Sequence, residues 1–387
     1  MPGYELIGAE ERQLVNEVFD RGGVLFRHGF ESQRGGLFMV RDFERLFAAK
    51  MRTKHALAVS SGTAGLRVAL AALGIGPGDE VITQSFTFVA TVEAIIESGA
   101  SPKCANVDNS LNLDPTELDS LVSEKTKAVI AVHMLGTPAE VRILREFCDE
   151  RGLFLIEDTA WGCGGSLGGR PLGTWGDVGV FSFDHAKAIT TGEGGMLVTS
   201  DQDLFNRAAA WHDHGHENNP SVPRWEDTRS SSGFNFRMSE IQGAVGIAQL
   251  AKLDSVVAKQ REHYETLASA ISKGAGVSLR PEPAGSFATY DALVVSLPSK
   301  NAALYLRDRL VTQGLSTKIL PEAMTWHFAG DWNHMPQLVS AHHQNLSTDL
   351  ATSREILEKC VALPLPFSLT EEQIETIAFE INSVRGR

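Results

Sequence analysis

The sequence predicts an α/β protein, and three observations carry that reading. From about residue 54 to residue 200, short apolar segments alternate with segments whose apolar residues recur at helical spacing, as strands laid side by side and joined by helices do. Thirty-six glycines in 387 residues, with only 7% aromatic, suit a chain with many tight turns between strand and helix. The apolar run Gly152-Leu153-Phe154-Leu155-Ile156 ends in Glu157-Asp158. A buried parallel strand carries acids in this way at its C-terminal end, where open α/β sheets place their ligands.

Taken in order, His55–Val59 is a short strand that meets the small turn Ser60-Ser61-Gly62-Thr63, and an apolar helix follows. The free amides and dipole at that helix start attract anions, and the hydroxyls of Ser61 and Thr63 add donors. The bland alternative is an ordinary Ser/Thr N-cap. In Glu80-Val81-Ile82-Thr83-Gln84-Ser85-Phe86-Thr87-Phe88, a strand is followed at once by an aromatic, either a stacking partner for a ring or core. Residues 127–132 read as a strand and 139–151 as the helix expected between parallel strands. Alternation along strand 152–158 sends Glu157 and Asp158 to opposite faces, so only one can serve a site.

The next strand, 177–183, runs into a polar turn with one lysine, Lys187, then Gly192-Glu193-Gly194-Gly195 and a second strand, 196–199. Alone, such a lysine reads as an exposed hairpin residue. Between two buried strands it is placed as a Schiff-base lysine must be, partly desolvated so that it loses its proton near neutral pH. An acid at the end of the preceding strand and a phosphate-type turn upstream make a pyridoxal phosphate site the reading, with Asp158 keeping the ring nitrogen protonated. Residues 212–233 are a long polar loop, expected to be functional. An apolar pattern from Met238 to about residue 270 begins a long helix leading to a smaller C-terminal domain.

Composition narrows the function classes. Net charge is −13 with no long run of either sign, which argues against nucleic acid and anionic membranes as partners. No stretch approaches the ~20 apolar residues of a membrane span, and the N-terminus lacks a signal-peptide pattern, so a cytoplasmic location is expected. Cys104, Cys148, Cys163 and Cys360 are scattered without metal spacing and read as reduced thiols. His212, His214 and His216 at alternate positions are the one metal-like cluster. Without an acid or cysteine at metal spacing, substrate recognition is the preferred reading and no metal is expected.

With these pieces in this order, the chain resembles the DegT-type sugar aminotransferases, fold type I pyridoxal phosphate enzymes. The motifs are Ser61-Gly62-Thr63-Ala64, Phe86-Thr87-Phe88-Val89-Ala90, Glu157-Asp158-Thr159-Ala160, Phe181-Ser182-Phe183 through Lys187 to Gly195, and Gly233-Phe234-Asn235-Phe236-Arg237-Met238. The resemblance implies a large domain, 1–250, with a mixed, mostly parallel sheet, and a smaller α+β domain, 251–387. It implies that Lys187 holds the cofactor and Asp158 meets its ring nitrogen. Gly62, Thr63, Ala64 and Ser182 would take the phosphate and Phe88 would stack on the ring. Asn235 would be lent to the phosphate by a neighbouring subunit, which implies a homodimer with shared sites. Two positions depart from the family: Trp161 stands where glutamine usually lies near the cofactor hydroxyl, and Asp184 where histidine is common.

A narrower resemblance, in Met1-Pro2-Gly3-Tyr4-Glu5-Leu6, Asp213-His214-Gly215-His216 and Trp326-His327-Phe328-Ala329-Gly330-Asp331-Trp332, points to aminotransferases that make 8-amino-3,8-dideoxy-octulosonate. It implies an aldehyde-bearing sugar acid as acceptor and a role in cell-surface polysaccharide (lipopolysaccharide) biosynthesis; glutamate is the expected amino donor of the aminotransferase reading as a whole. Arg237, His214, His216, Trp326 and His327 would then bind substrate. The alternative acceptor is a nucleotide-linked 4-keto-6-deoxyhexose. The rivals of another class are a dehydratase of the same fold, in which histidine replaces the lysine, and a non-catalytic regulator, expected to lose Lys187 or Asp158.

Overall fold

Seven short strands build the central sheet of the computed structural model, which describes residues 2–219, 221–271, 276–342 and 345–384. They are β1 (His55–Val59), β2 (Glu80–Gln84), β3 (Ser101–Ala105), β4 (Thr126–Val132), β5 (Phe154–Asp158), β6 (Val178–Ser182) and β7 (Gly195–Thr199). Across the sheet the order is β1-β7-β6-β5-β4-β2-β3. Neighbours pair parallel from β6 through β5, β4 and β2 to β3, whereas β7 pairs antiparallel with both β6 and β1. The sheet is therefore mixed and mostly parallel. The reversal at β7 has a simple cause: no helix separates it from β6, so the chain turns back on itself. Helices cover both faces, and β4, β6 and β7 are almost wholly buried. That is why they read as continuous apolar runs rather than alternating ones.

Helix Gly62–Ala72 starts where Ser61 Oγ accepts the Ala64 amide at 3.0 Å, a side-chain N-cap. Helix Glu240–Ala270 opens on a reciprocal capping box between Ser239 and Gln242. It packs on helices Ala9–Asp20 and Met39–Met51 at one end and on Glu371–Ser383 at the other. Residue 250, the boundary expected between the domains, falls inside this helix. Its Gly243 lets the Met39–Met51 helix come close, since a Cβ there would lie 2.7 Å from the Val40 amide nitrogen.

Beyond it, Ser278–Leu279, Ala292–Ser296 and Cys360–Pro364 form a second, antiparallel sheet. Leu306, Leu310, Ile377 and Ile381, from helices Lys300–Thr312 and Glu371–Ser383, fill the core against it. The two sheets share an apolar core in which Phe86, Met134, Val294, Leu320 and Trp332 meet. All four cysteines are buried and unpaired. Among the described residues no helix is long and apolar enough to cross a membrane.

Candidate active site

Because β1, β2, β5 and β6 run the same way, the segments that follow them leave one end of the sheet together. They converge on a cavity of about 330 Å³. Ser61, Gly62 and Thr63 come from the turn after β1, and Thr87, Phe88 and Thr91 from the segment after β2. Asp158 and Trp161 arrive from β5, Ser182, Asp184 and Lys187 from β6, and His327 from the C-terminal part of the chain.

Asp158 faces the cavity, while Glu157 turns to the opposite side. There Glu157 meets His133 at 3.0 Å and accepts the amides of Gly173 and Gly176 at 2.8 and 2.7 Å. Alternation along the strand thus separates the two acids. Asp158 accepts from Thr91 Oγ1 at 2.9 Å and from the Ala160 amide at 3.2 Å. Burial raises its proton affinity above that of an ordinary aspartate; these two donors, Lys187 and His133 oppose the rise.

The Lys187 loop is held by Asp184, whose Oδ1 accepts the Ala186 amide at 2.9 Å and whose carbonyl accepts the Lys187 amide at 3.1 Å. Asp184 therefore shapes the lysine turn. Lys187 Nζ lies 3.2 Å from the centroid of the Trp161 indole. Burial lowers the proton affinity of this amine to about 8, with Lys318 pushing the same way and Asp291, Asp158 and Asp184 pulling against it. Such an amine is about half neutral near pH 8, far more so than an ordinary lysine, as suits a nucleophile or proton carrier.

At the anion end, the start of helix Gly62–Ala72 faces Ser182. A Cβ on Gly62 would sit 2.9 Å from Ser182 Cβ, so this contact requires glycine. Gly62 and Thr63 line the cavity, but Ala64 does not, and its amide is occupied by Ser61. Phe88 is 39% exposed at the cavity edge, with its ring 5.5 Å from that of His327.

The remaining expected residues lie away from this cavity. Arg237, expected to read a substrate carboxylate, is instead bonded to Asp213, which also takes Arg224 at 2.5 Å and His28 at 3.2 Å. His216 is engaged by Asp227 at 3.1 Å. His212 is buried between Arg27 and the Ala209 carbonyl, while His214 is exposed. The three histidines therefore do not share a face. Trp326 is 65% exposed outside the cavity, and Trp332 belongs to the core. Asn235 is exposed, bridged through its backbone to Asp213. Sequence reasoning missed Thr91, Asp291 and Lys318. The signals were a hydroxyl in the otherwise apolar helix start Ala90-Thr91-Val92 and lone charges beside the apolar runs 292–295 and 319–320.

The model of the DegT/DnrJ/EryC1/StrS aminotransferase family matches residues 9–382. The chain is similar to a GDP-perosamine synthase of Vibrio cholerae, 36% identical over 292 residues, covering 75% of this chain and 76% of the relative. It is similar to a dTDP-4-dehydro-2,3,6-trideoxy-D-glucose 4-aminotransferase of Saccharopolyspora spinosa, 30% identical over 386 residues, 97% of this chain and 94% of that one. Among solved structures, S. venezuelae DesV superposes with a TM-score of 0.84 at 28% identity, over 99% of this chain and 96% of that one.

Proposed function

The chain belongs to the DegT/DnrJ/EryC1/StrS aminotransferase family, and we propose that its acceptor is a nucleotide-linked 4-keto-6-deoxyhexose. It is a pyridoxal phosphate-dependent sugar aminotransferase. The cavity fits that cofactor: a buried acid, an amine of lowered proton affinity and a hydroxyl-rich helix start surround one space.

In this reading Lys187 would hold the cofactor covalently, and its amine of lowered proton affinity would serve as the proton carrier. Asp158, fixed by Thr91, would keep the ring nitrogen protonated. Gly62, Thr63 and Ser182 would hold the phosphate, together with an asparagine, Asn235, lent by a second copy in a homodimer. Phe88 would offer its ring at the cavity edge as a stacking partner. Trp161 has no acceptor for the cofactor hydroxyl, so its indole serves as apolar wall and as a resting place for the Lys187 amine. The bound cofactor supplies the electron sink for proton removal at carbon.

The acceptor assignment rests on one observation above others: the relative matched over 97% of this chain is named for a nucleotide-linked keto sugar. Of the residues expected to bind an octulosonate, His327 lines the cavity, whereas Arg237 and His216 are engaged by Asp213 and Asp227. The nucleotide-linked alternative, secondary in the sequence reading, is therefore preferred, with glutamate as the expected amino donor.

The pyridoxamine form, mixed with each candidate acceptor, tests this by the return of the violet-edge absorbance of the lysine-bound cofactor. Return with a dTDP- or GDP-linked 4-keto-6-deoxyhexose is expected. Return only with the octulosonate aldehyde would reverse the acceptor assignment and leave the aminotransferase untouched.

A further inference from the structure

Two lysines share the Trp161 indole. Lys187 Nζ lies 3.2 Å from its centroid and Lys318 Nζ 4.9 Å. Lys318 comes from the C-terminal part of the chain, where its amide donates to the Ala362 carbonyl at 2.8 Å, on the edge of the second sheet. Its ammonium is bonded to the Asp291 carboxylate, and Asp291 immediately precedes strand Ala292–Ser296 of the same sheet. Lys318 and Asp291 keep only 7% and 6% of their side chains exposed. The second sheet thus delivers a buried ion pair to Trp161, a residue of the cavity wall, so that its lysine meets the same ring on which the Lys187 amine rests.

We propose that Lys318 and Asp291 are positioning residues for the Lys187 amine, acting on it across the indole that both lysines share. The proposal rests on Lys187 being the amine that carries the cofactor. Its logic is charge balance in a poorly screened space. With Lys187 neutral, the Lys318–Asp291 pair is self-compensating. With Lys187 protonated, two ammonium groups compete for one carboxylate. A neighbouring cation is a recognised means of keeping a catalytic amine deprotonated. The other charged or titratable groups around Lys187 are Asp158 at the end of β5, Asp184 in its own loop, Glu193 at the cavity wall and His327, whose proton affinity burial lowers. Among all the charges around Lys187, Asp291 acts on its proton most strongly and Lys318 next.

The two members of the pair must therefore act with opposite sign. Lys318→Met removes the competitor and leaves Asp291 to Lys187, so the amine should hold its proton at least about tenfold more tightly. Asp291→Asn should make it release the proton more easily, and Lys318→Arg should leave it unchanged. Lys187 is free in the pyridoxamine-loaded holoenzyme. Its titration can be read there from the pH dependence of acetic anhydride labelling, quantified on the Lys187 peptide by mass spectrometry.

Opposite shifts for Lys318→Met and Asp291→Asn support the proposal. Equal or absent shifts overturn it, as does a parent enzyme whose Lys187 titrates like an ordinary lysine, a result that needs no variant to fold. Borohydride reduction of the pyridoxal form separates the two levels. An adduct on another lysine removes the functional reading itself, whereas an adduct on Lys187 with unmoved titrations removes only the role of Lys318 and Asp291.

Discussion

Thr91 donates its hydroxyl to Asp158 Oδ2 at 2.9 Å, and Thr87 Oγ1 lies 2.8 Å behind it from Thr91 Oγ1. This short relay, set at the start of helix Ala90–Glu97, fixes which way the buried carboxylate points and favours its ionised form. Thr91→Val keeps the volume and removes the donor. Hydrogen bonds to charged groups contribute about 1.5–3 kcal/mol, so kcat/KM should fall roughly tenfold to a hundredfold. Because Asp158 then takes up a proton more readily, the acid limb of the pH–rate profile should move upward. An unmoved profile would show that the Ala160 amide alone suffices.

Asp158→Asn should leave the cofactor bound and remove most activity. The amide fills the same space but cannot hold the ring nitrogen protonated. Cofactor content by absorbance and turnover by product assay separate the two effects. Near-parental turnover would mean that another acid serves the ring, and Glu157, tied to His133, Gly173 and Gly176, is poorly placed for that.

Gly62→Ala tests the anion end. The new methyl would meet Ser182 Cβ at 2.9 Å, so helix Gly62–Ala72 or β6 must shift. A stability loss of about 1–3 kcal/mol is expected from such overpacking, together with weaker retention of the cofactor on dialysis. Thermal melting of the apoprotein isolates the packing cost from the cofactor's own contribution.

Much of this site was legible in the sequence because its parts are local. A strand, a turn of small residues and a helix start specify an anion cradle within about ten residues, and alternation alone separated Asp158 from Glu157. What could not be read was tertiary. Nothing near Arg237 in sequence shows that Asp213 will claim it. Lys318, paired with Asp291, reaches Trp161 only because the second sheet packs against the first through the shared core around Phe86 and Trp332. The 326–332 segment, whose aromatics and histidine look alike in sequence, divides in space: His327 faces the cavity, Trp326 faces solvent and Trp332 is core.

Asp213 should be a main fastener of the 212–236 region. Burial by itself would raise its proton affinity, but His28 and Arg224 more than reverse this and hold the carboxyl far below the usual aspartate range. In the unfolded chain the same group protonates near 4. The stability it contributes is therefore complete above about pH 4 and is lost as pH falls further. Asp213→Asn should cost about 2 kcal/mol at neutral pH, since it leaves Arg224 and Arg237 without their carboxylate while Arg224 still reaches solvent. The difference from the parent protein in denaturant melts should shrink toward acid pH. A constant difference across the acid range would assign the loss to packing rather than charge.

Asn235 is exposed and does not line the Lys187 cavity of its own subunit, although the backbone around it is well anchored: Asn235 bridges to Asp213, and the Ser60 amide donates to the Phe236 carbonyl at 2.8 Å. An exposed amide on a fixed turn is what a residue lent to a neighbour requires. If two subunits share sites in this way, Lys187→Ala and Asn235→Ala chains are each impaired alone but complementary together. A mixed dimer has one site with both groups lost and one with both intact. Random exchange of equal amounts should restore about a quarter of the parental activity, given two-fold symmetry. Exchange is monitored independently by native mass spectrometry of differently tagged chains. Full exchange with no restored activity would place Asn235 in the service of its own subunit.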